Sequence, residues 1–273
     1  MFTVTIDETN SIIHIISQKY GIDLSGMAMA SLRLKISQFC KDHRFHSPLD
    51  LITRLHDEPG FIESFMHGIS ASSPDMFRDP ELWITLREQI LPAMVPDSTA
   101  ARILIPDSVS GEEIYSMAIL LKESGMDRQI RLTATCINDS IRKQIENGPL
   151  SKGRYKNCQD NYLVFNPGSN LDKYFLQRDG KYYLKSGLLK PVDLVVQPED
   201  QTGMKVHAKL ILYRNRMIYL NPETSRRRIR RMLDQAVEGC ILILGIKESV
   251  KYLGLKDRVR VISSDLNIYS KAG

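Results

Sequence analysis

Residues 101–121, ARILIPDSVSGEEIYSMAILL, constrain the fold more than any other stretch of the chain. An apolar run, a tight polar turn and an amphipathic run follow one another directly, which predicts a strand, a turn and a helix. This is the βα unit that opens a nucleotide-binding α/β domain. Its turn is normally glycine-rich, so that the backbone can approach the ligand closely. Here the turn is Pro106-Asp107-Ser108-Val109-Ser110, and Gly111 stands only at its end. The architecture of a ligand cradle is kept while its small-residue chemistry is changed.

The pattern continues downstream. Residues 103–105, 130–137, 209–213 and 240–245 read as strands, and residues 112–124 and 139–146 as helices between them. Asn221-Pro222-Glu223 starts a further, arginine-rich helix. Such alternation implies a parallel, doubly wound sheet. Residues 258–263 and 267–271 pair as an antiparallel edge. The stretch 150–196 breaks the alternation. Its Asp179-Gly180 between two apolar runs is a hairpin signal, so the stretch reads as a small β insertion. Lys181 and Lys185 would blunt that hairpin's edge against strand addition.

Upstream, residues 9–68 are helical in period. Ile12, Ile13, Ile15 and Ile16 form one apolar face, and Leu32, Leu34, Ile36 and Phe39 belong to the next helix. Ser47-Pro48 looks like an N-cap with proline in the first turn, and Pro59-Gly60 breaks the chain again. The expected organisation is a helical N-terminal domain over 1–70, a linker and first helix over 71–85, and a sheet domain over 86–273 with its insertion at about 150–196.

No apolar run approaches the roughly 20 residues needed to cross a bilayer. The N-terminus lacks the pattern of a signal peptide, which points to the cytoplasm. The four cysteines have no CxxC spacing and the six histidines share no ligand spacing, so no metal or disulfide framework is expected. The net charge of +5 permits an acidic partner without demanding nucleic acid. The run Arg226-Arg227-Arg228-Ile229-Arg230-Arg231 falls mostly on the outer face of its helix. That face is either solvated or a patch for an acidic ligand.

Several motifs fall in one order: MFRDP at 76–80, SGEEIYSMAILL at 110–121, TATCIN at 133–138, LILYRNRMIYL at 210–220 and LGIKES at 244–249. Together they resemble the CheR family, the chemotaxis receptor methyltransferases, which methylate receptor glutamates with S-adenosylmethionine. The similarity covers nearly the whole chain. It implies an α/β fold: a Rossmann-like S-adenosylmethionine methyltransferase sheet with a small β insertion, preceded by an all-helical N-terminal domain. By the same resemblance Arg78 lies near substrate and cofactor, Tyr219 near the methyl group, and Asn215 on the adenosine side. Glu113 belongs to the family's GEE, although Ser110-x-x-Glu113 also reads as a capping box. LGIKES is expected to be structural. Family members meet acidic receptor surfaces with a basic helix, for which Arg33, Lys35, Lys41 and Arg44 are the candidates here.

The departures cluster on the cofactor side. In the loop that carries Ser110, the family's close-approach glycine is Asp107. Its carboxylate would face the carboxylate of the cofactor's methionine end. Two like charges about 4 Å apart at an effective dielectric of 20 repel by up to ~4 kcal/mol. The family's ribose-binding aspartate is Cys136, and losing a charged acceptor costs roughly 1.5–3 kcal/mol. Asn138 either stands in for it or caps the next helix. The family's HNL aligns with Gln197-Pro198-Glu199, and its VTE with Ser73-Pro74-Asp75. Arg216 replaces a small apolar residue. Two functions stay open: a binding or regulatory module in sensory signalling with weak or no S-adenosylmethionine binding, and an active protein-glutamate O-methyltransferase.

Overall fold

The computed structural model of the chain describes residues 3–20, 22, 24–58, 60–70, 75–95, 101–197 and 207–273. Ser73, Pro74, Pro198 and Glu199 lie outside the described residues, as do residues 71 and 72 of the expected linker. The chain divides into two units. One combines Met1–Ser72 with Arg214–Arg231 and Lys247–Lys256; the other holds Ser73–Tyr213, Met232–Ile246 and Asp257–Gly273.

The first unit opens with helices α1 (Ile6–Tyr20), α2 (Met29–Asp42), α3 (Pro48–Asp57) and α4 (Phe61–Ser70). Each forms where apolar residues recur at three- and four-residue spacing. Ile12 and Ile16 of α1, Leu32, Ile36 and Phe39 of α2, Leu51 and Leu55 of α3, and Phe65 of α4 are buried together. The start of α3 matches its sequence signal. Asp50 N donates to Ser47 Oγ (3.2 Å), and Ser47 N donates back to the Asp50 carboxylate (2.9 Å). At Gly68 a Cβ would lie 2.2 Å from the Phe39 ring, so α4 reaches α2 only through glycine. Later segments complete this unit. Met27 bridges Leu220, Ala28 N donates to Tyr219 O (2.9 Å), and Asn221 N donates to Gly26 O (3.0 Å).

In the second unit α5 (Pro80–Thr85) passes through a π turn (Leu86–Ile90) into α6 (Leu91–Met94). The wide turn comes directly before Pro92, which has no N–H to return to the helix. Then follow β1 (Ala101–Ile105), α7 (Glu112–Glu123), β2 (Ile130–Cys136), α8 (Asp139–Asn147), β3 (Leu150–Ser151) and α9 (Lys152–Phe165). After these come β4 (Phe175–Arg178), β5 (Lys181–Leu184), β6 (Val192–Val196), β7 (Leu210–Tyr213), α10 (Pro222–Gln235, begun in the first unit), β8 (Ile241–Leu244), β9 (Val259–Ser263) and β10 (Ile268–Lys271). The main sheet has the order β6-β2-β1-β7-β8-β10-β9. β6, β2, β1, β7 and β8 run parallel, while β10 and β9 form the antiparallel edge. This is the Rossmann-like methyltransferase sheet that the resemblance implies. Ile103, Ile105, Leu132 and Ala134 pack with Ile114, Met117 and Ile141 in the core. No described helix is long and apolar enough to cross a membrane.

Three details differ from the sequence reading. Val192–Val196, read as the tail of the insertion, pairs with β2 from Leu132↔Val192 to Cys136↔Val196 and is the outer strand of the main sheet. The insertion also contains the helix α9. Its small sheet has the order β3-β5-β4, because Leu150 and Ser151 pair with Tyr182 and Lys181. Lys181 therefore lies on the central strand and Lys185 just after it, and neither guards an edge. The longer edge is β4, with Leu176 exposed. The hairpin turn itself is as expected, with Asp179 (φ 48°) and Gly180 (φ 70°) both left-handed. The insertion is anchored on Glu123 of α7, which accepts from Tyr162 Oη (2.5 Å), Lys173 Nζ (2.6 Å), Tyr174 Oη (2.9 Å) and Asn166 Nδ2 (3.0 Å).

Candidate functional site

In the second unit the candidate residues gather at the carboxyl ends of β1 and β2, where open α/β sheets bind ligands. After β1 the chain turns through Asp107, whose φ of 52° is the conformation that glycine adopts most easily. The turn is held from β2: Asp107 N donates to Thr135 Oγ1 (3.0 Å) and Ser108 N to Thr135 O (2.6 Å). Gly111 ends the loop. A Cβ there would lie 2.1 Å from the Tyr115 ring, so only glycine lets α7 start here.

The N-cap of α7 is Gly111, one residue later than a capping box from Ser110 requires. Ser110 instead hydrogen-bonds the Glu112 side chain. Glu112, absent from the sequence-based candidates, is 2% exposed and forms an ion pair with Arg154 of α9. Burial holds its carboxyl above the usual carboxylate range, opposed by Arg154. Its paired carboxylates in the sequence, Glu112 and Glu113, are the only signal that pointed to it. Both are buried.

At the end of β2, Cys136 is buried and its Sγ donates to the carbonyls of Asn138 (3.6 Å) and Val195 (3.7 Å). Burial pushes the thiol above its ordinary range. Asn138 caps α8: its Oδ1 accepts from Ile141 N (2.8 Å). Of the two readings for Asn138, the cap is the one its geometry fulfils.

Arg78 sits between two left-handed residues, Phe77 (φ 52°) and Asp79 (φ 57°). Phe77 N donates to Ser116 Oγ (2.9 Å), Met76 N to Cys158 Sγ (3.2 Å), and Trp83 Nε1 to Arg78 O (2.9 Å). Strain of this kind persists only where the surroundings fix it.

In the first unit, Asn215 and Tyr219 belong to the segment after β7. Asn215 is left-handed (φ 55°). The buried Glu248 carboxylate organises this segment, accepting from Asn215 N (2.8 Å), Met217 N (2.6 Å) and Ile218 N (3.3 Å). The motif LGIKES thus holds a site segment through backbone donors, which leave no side-chain signature in the sequence. Tyr219 lies under Lys35, with Nζ 3.7 Å from the ring centroid.

That contact corrects the expected basic surface. Lys35 Nζ also donates to Ile69 O (2.6 Å), and Arg33 Nε donates to Val4 O (3.1 Å), so both side chains are engaged inside the unit. Burial, with Arg216 second, lowers the Lys35 ammonium to about 8. Lys41 and Arg44 are exposed.

The fit of these residues to S-adenosylmethionine is uneven. Asn215 Nδ2 is a buried donor with no partner among the described residues, which suits a ligand acceptor. The ribose side does not fit. A ribose diol needs an acceptor, but the Cys136 thiol is turned to carbonyls and Asn138 Oδ1 is taken. Among the described residues, no three His, Cys, Asp or Glu side chains gather to hold a metal ion.

A family model described as CheR methyltransferase, SAM binding domain, matches residues 73–268. The chain is similar to the "Putative methyltransferase Cher3" of Pseudomonas putida, at 24% identity over 265 residues, covering 97% of each chain. It is similar to the "Chemotaxis protein methyltransferase" of Borreliella burgdorferi at 24% over 262 residues, covering 91% of this chain and 90% of that one. The corresponding protein of Listeria monocytogenes is 22% identical over 244 residues, with 86% and 87% covered.

Proposed function

The chain belongs to the CheR methyltransferase family, and from that premise we propose that it serves chemotaxis-type signalling as a binding or regulatory module with weak or no S-adenosylmethionine binding. The observation that carries this reading is the end of β2. The position of the family's ribose-binding aspartate holds a buried thiol, and the nearest alternative acceptor caps a helix. Asp107 adds a carboxylate where the family has glycine.

Calorimetric titration with S-adenosylmethionine and S-adenosylhomocysteine tests it. Binding at least ~100-fold weaker than at an intact site is expected, a factor equal to about 2.7 kcal/mol. Low-micromolar binding would overturn the reading. Asp107→Gly combined with Cys136→Asp should strengthen binding; a folded double variant that binds no better moves the block elsewhere, with Arg216 the first candidate.

The second reading, an active protein-glutamate O-methyltransferase, is favoured by the unpartnered Asn215 Nδ2 and by the strained turns around Arg78. In that case Arg78 and Tyr219 are the catalytic pair. Base-labile label transferred from S-adenosylmethionine to a glutamate-rich helical peptide, and lost in Tyr219→Phe, would establish it.

The partner in either case is an acidic helical signalling or receptor protein in the cytoplasm. Lys41 and Arg44 are the two residues of the predicted basic set whose charges face outward. Reversing both to glutamate should slow association at low salt and leave the melting temperature nearly unchanged. Equal association rates would remove this surface from the contact.

A further inference from the structure

The arginine run of α10 is used by neither reading above. Arg226, Arg227 and Arg230 are exposed. On a helix they span about 100° of one face. Ile229 and Leu233, on the flank next to Arg226, are fully buried. This face continues into the segment that follows β8. The Arg226 guanidinium carbon lies 3.8 Å from where a Cβ on Gly254 would stand, and Gly254 is a left-handed turn residue (φ 64°). Lys251 and Lys256 flank that turn and are exposed. Between them Tyr252 is 85% exposed. Among the described residues none of these five cations makes an ion pair. The acids beside them are Glu223 and Asp234 of α10 and Asp257 after Lys256, all exposed; Asp234 pairs with Arg258, and Glu248 is buried.

We propose that this face of α10, with the turn 251–256, is a docking surface for the anionic headgroups of a phospholipid bilayer. Charge complementarity is the first reason: the five cations outnumber the exposed acids beside them, Glu223, Asp234 and Asp257, and Asp234 is already paired with Arg258. Guanidinium groups bind phosphate oxygens in a fixed fork. Clusters of this size on a helix adsorb to anionic lipid. The second reason is what the patch lacks. A protein interface needs a desolvated apolar centre. Here the apolar neighbours Val250, Leu253 and Leu255 are buried, and Tyr252 alone projects. A projecting tyrosine suits the headgroup layer, where one end of its ring is apolar and the other wet. The adsorption is peripheral, since nothing here inserts a helix.

The full chain is sedimented with vesicles of phosphatidylcholine containing phosphatidylserine, and with phosphatidylcholine alone, at low and physiological salt. Binding is expected only to the anionic vesicles, and weaker at higher salt. Each cation near such a surface contributes about fivefold to partitioning. Combined Arg226→Glu, Arg227→Glu and Arg230→Glu should therefore lower it by at least ~100-fold. Should that variant not fold, Lys251→Glu with Lys256→Glu gives the same test, with a loss of at least ~25-fold. Unchanged partitioning in either folded variant, or no binding of the native chain to anionic vesicles, overturns the proposal. So does tighter binding to duplex DNA or poly-L-glutamate at the same salt, which assigns the patch to another polyanion. Loss of vesicle binding in millimolar inorganic phosphate, but not in chloride of equal ionic strength, assigns it to a soluble phosphate ligand instead.

Discussion

The turn after β1 and the turn after β7 adopt the same unusual backbone and differ in chemistry. Each places one non-glycine residue in the left-handed region, Asp107 at 52° and Asn215 at 55°. Aspartate and asparagine tolerate that conformation better than other side chains do. Each turn is held by hydrogen bonds to its backbone: one Thr135 accepts from Asp107 and Ser108, and one Glu248 carboxylate accepts from Asn215, Met217 and Ile218. Yet Asn215 presents a buried donor with no partner among the described residues, while Asp107 presents a carboxylate. Packing fixes the shape of both turns. The side chains the two turns present are not fixed by that packing: one is a carboxylate, the other an amide.

The two anchors should be unequal, and this is the largest effect. Glu248→Ala leaves buried N–H groups unmet and should destabilise by about 3 kcal/mol in urea unfolding. Gly111→Ala should cost about 2 kcal/mol, because Tyr115 must move to admit the methyl group. Thr135→Val removes one neutral acceptor and should cost about 1 kcal/mol. If it costs as much as Glu248→Ala, the contrast between the anchors is wrong.

A pH experiment addresses the second turn alone. Lys35, over Tyr219, has its ammonium lowered from 10.5 to about 8 in the folded state. Below pH 8 both states are protonated and the burial penalty is fully present. Between pH 8 and 10.5 the unfolded chain binds more protons, so stability rises with pH. Relative to Lys35→Met, the native chain should therefore gain in urea midpoint from pH 7.5 to pH 10; a flat difference would place the amine in water. The smallest effect is Asp107→Gly, a gain of about 0.5 kcal/mol, since relief at positive φ is largely offset by glycine's entropy. A larger gain would show that Asp107 is under strain the turn does not share.

Local signals read well from the sequence. The Ser47-Pro48 start, the Asp179-Gly180 turn and the strand–turn–helix of β1 and α7 each depend on residues a few positions apart. What was missed depends on distant partners. Lys35 reads as a surface cation until Ile69 O and Tyr219 are brought to it. Lys181 reads as an edge guard until Leu150 and Ser151 supply another strand. In α9 the buried residues Tyr155, Cys158, Tyr162 and Phe165 have helical spacing, but aromatic residues among polar ones do not announce it. At the end of β2, the thiol of Cys136 was legible in the sequence. That its thiol faces two carbonyls was not.

The first unit is discontinuous in the chain: Met1–Ser72 is completed by Arg214–Arg231 and Lys247–Lys256. During synthesis helices α1–α4 emerge well before Leu220, Asn221 and Glu248 exist. Contacts so far apart in sequence are slow to close. A fragment of residues 1–72 alone would therefore lack pieces of its own fold, and a nascent chain carries an incomplete helical bundle, with apolar surface open to chaperones, until Lys256 has been added.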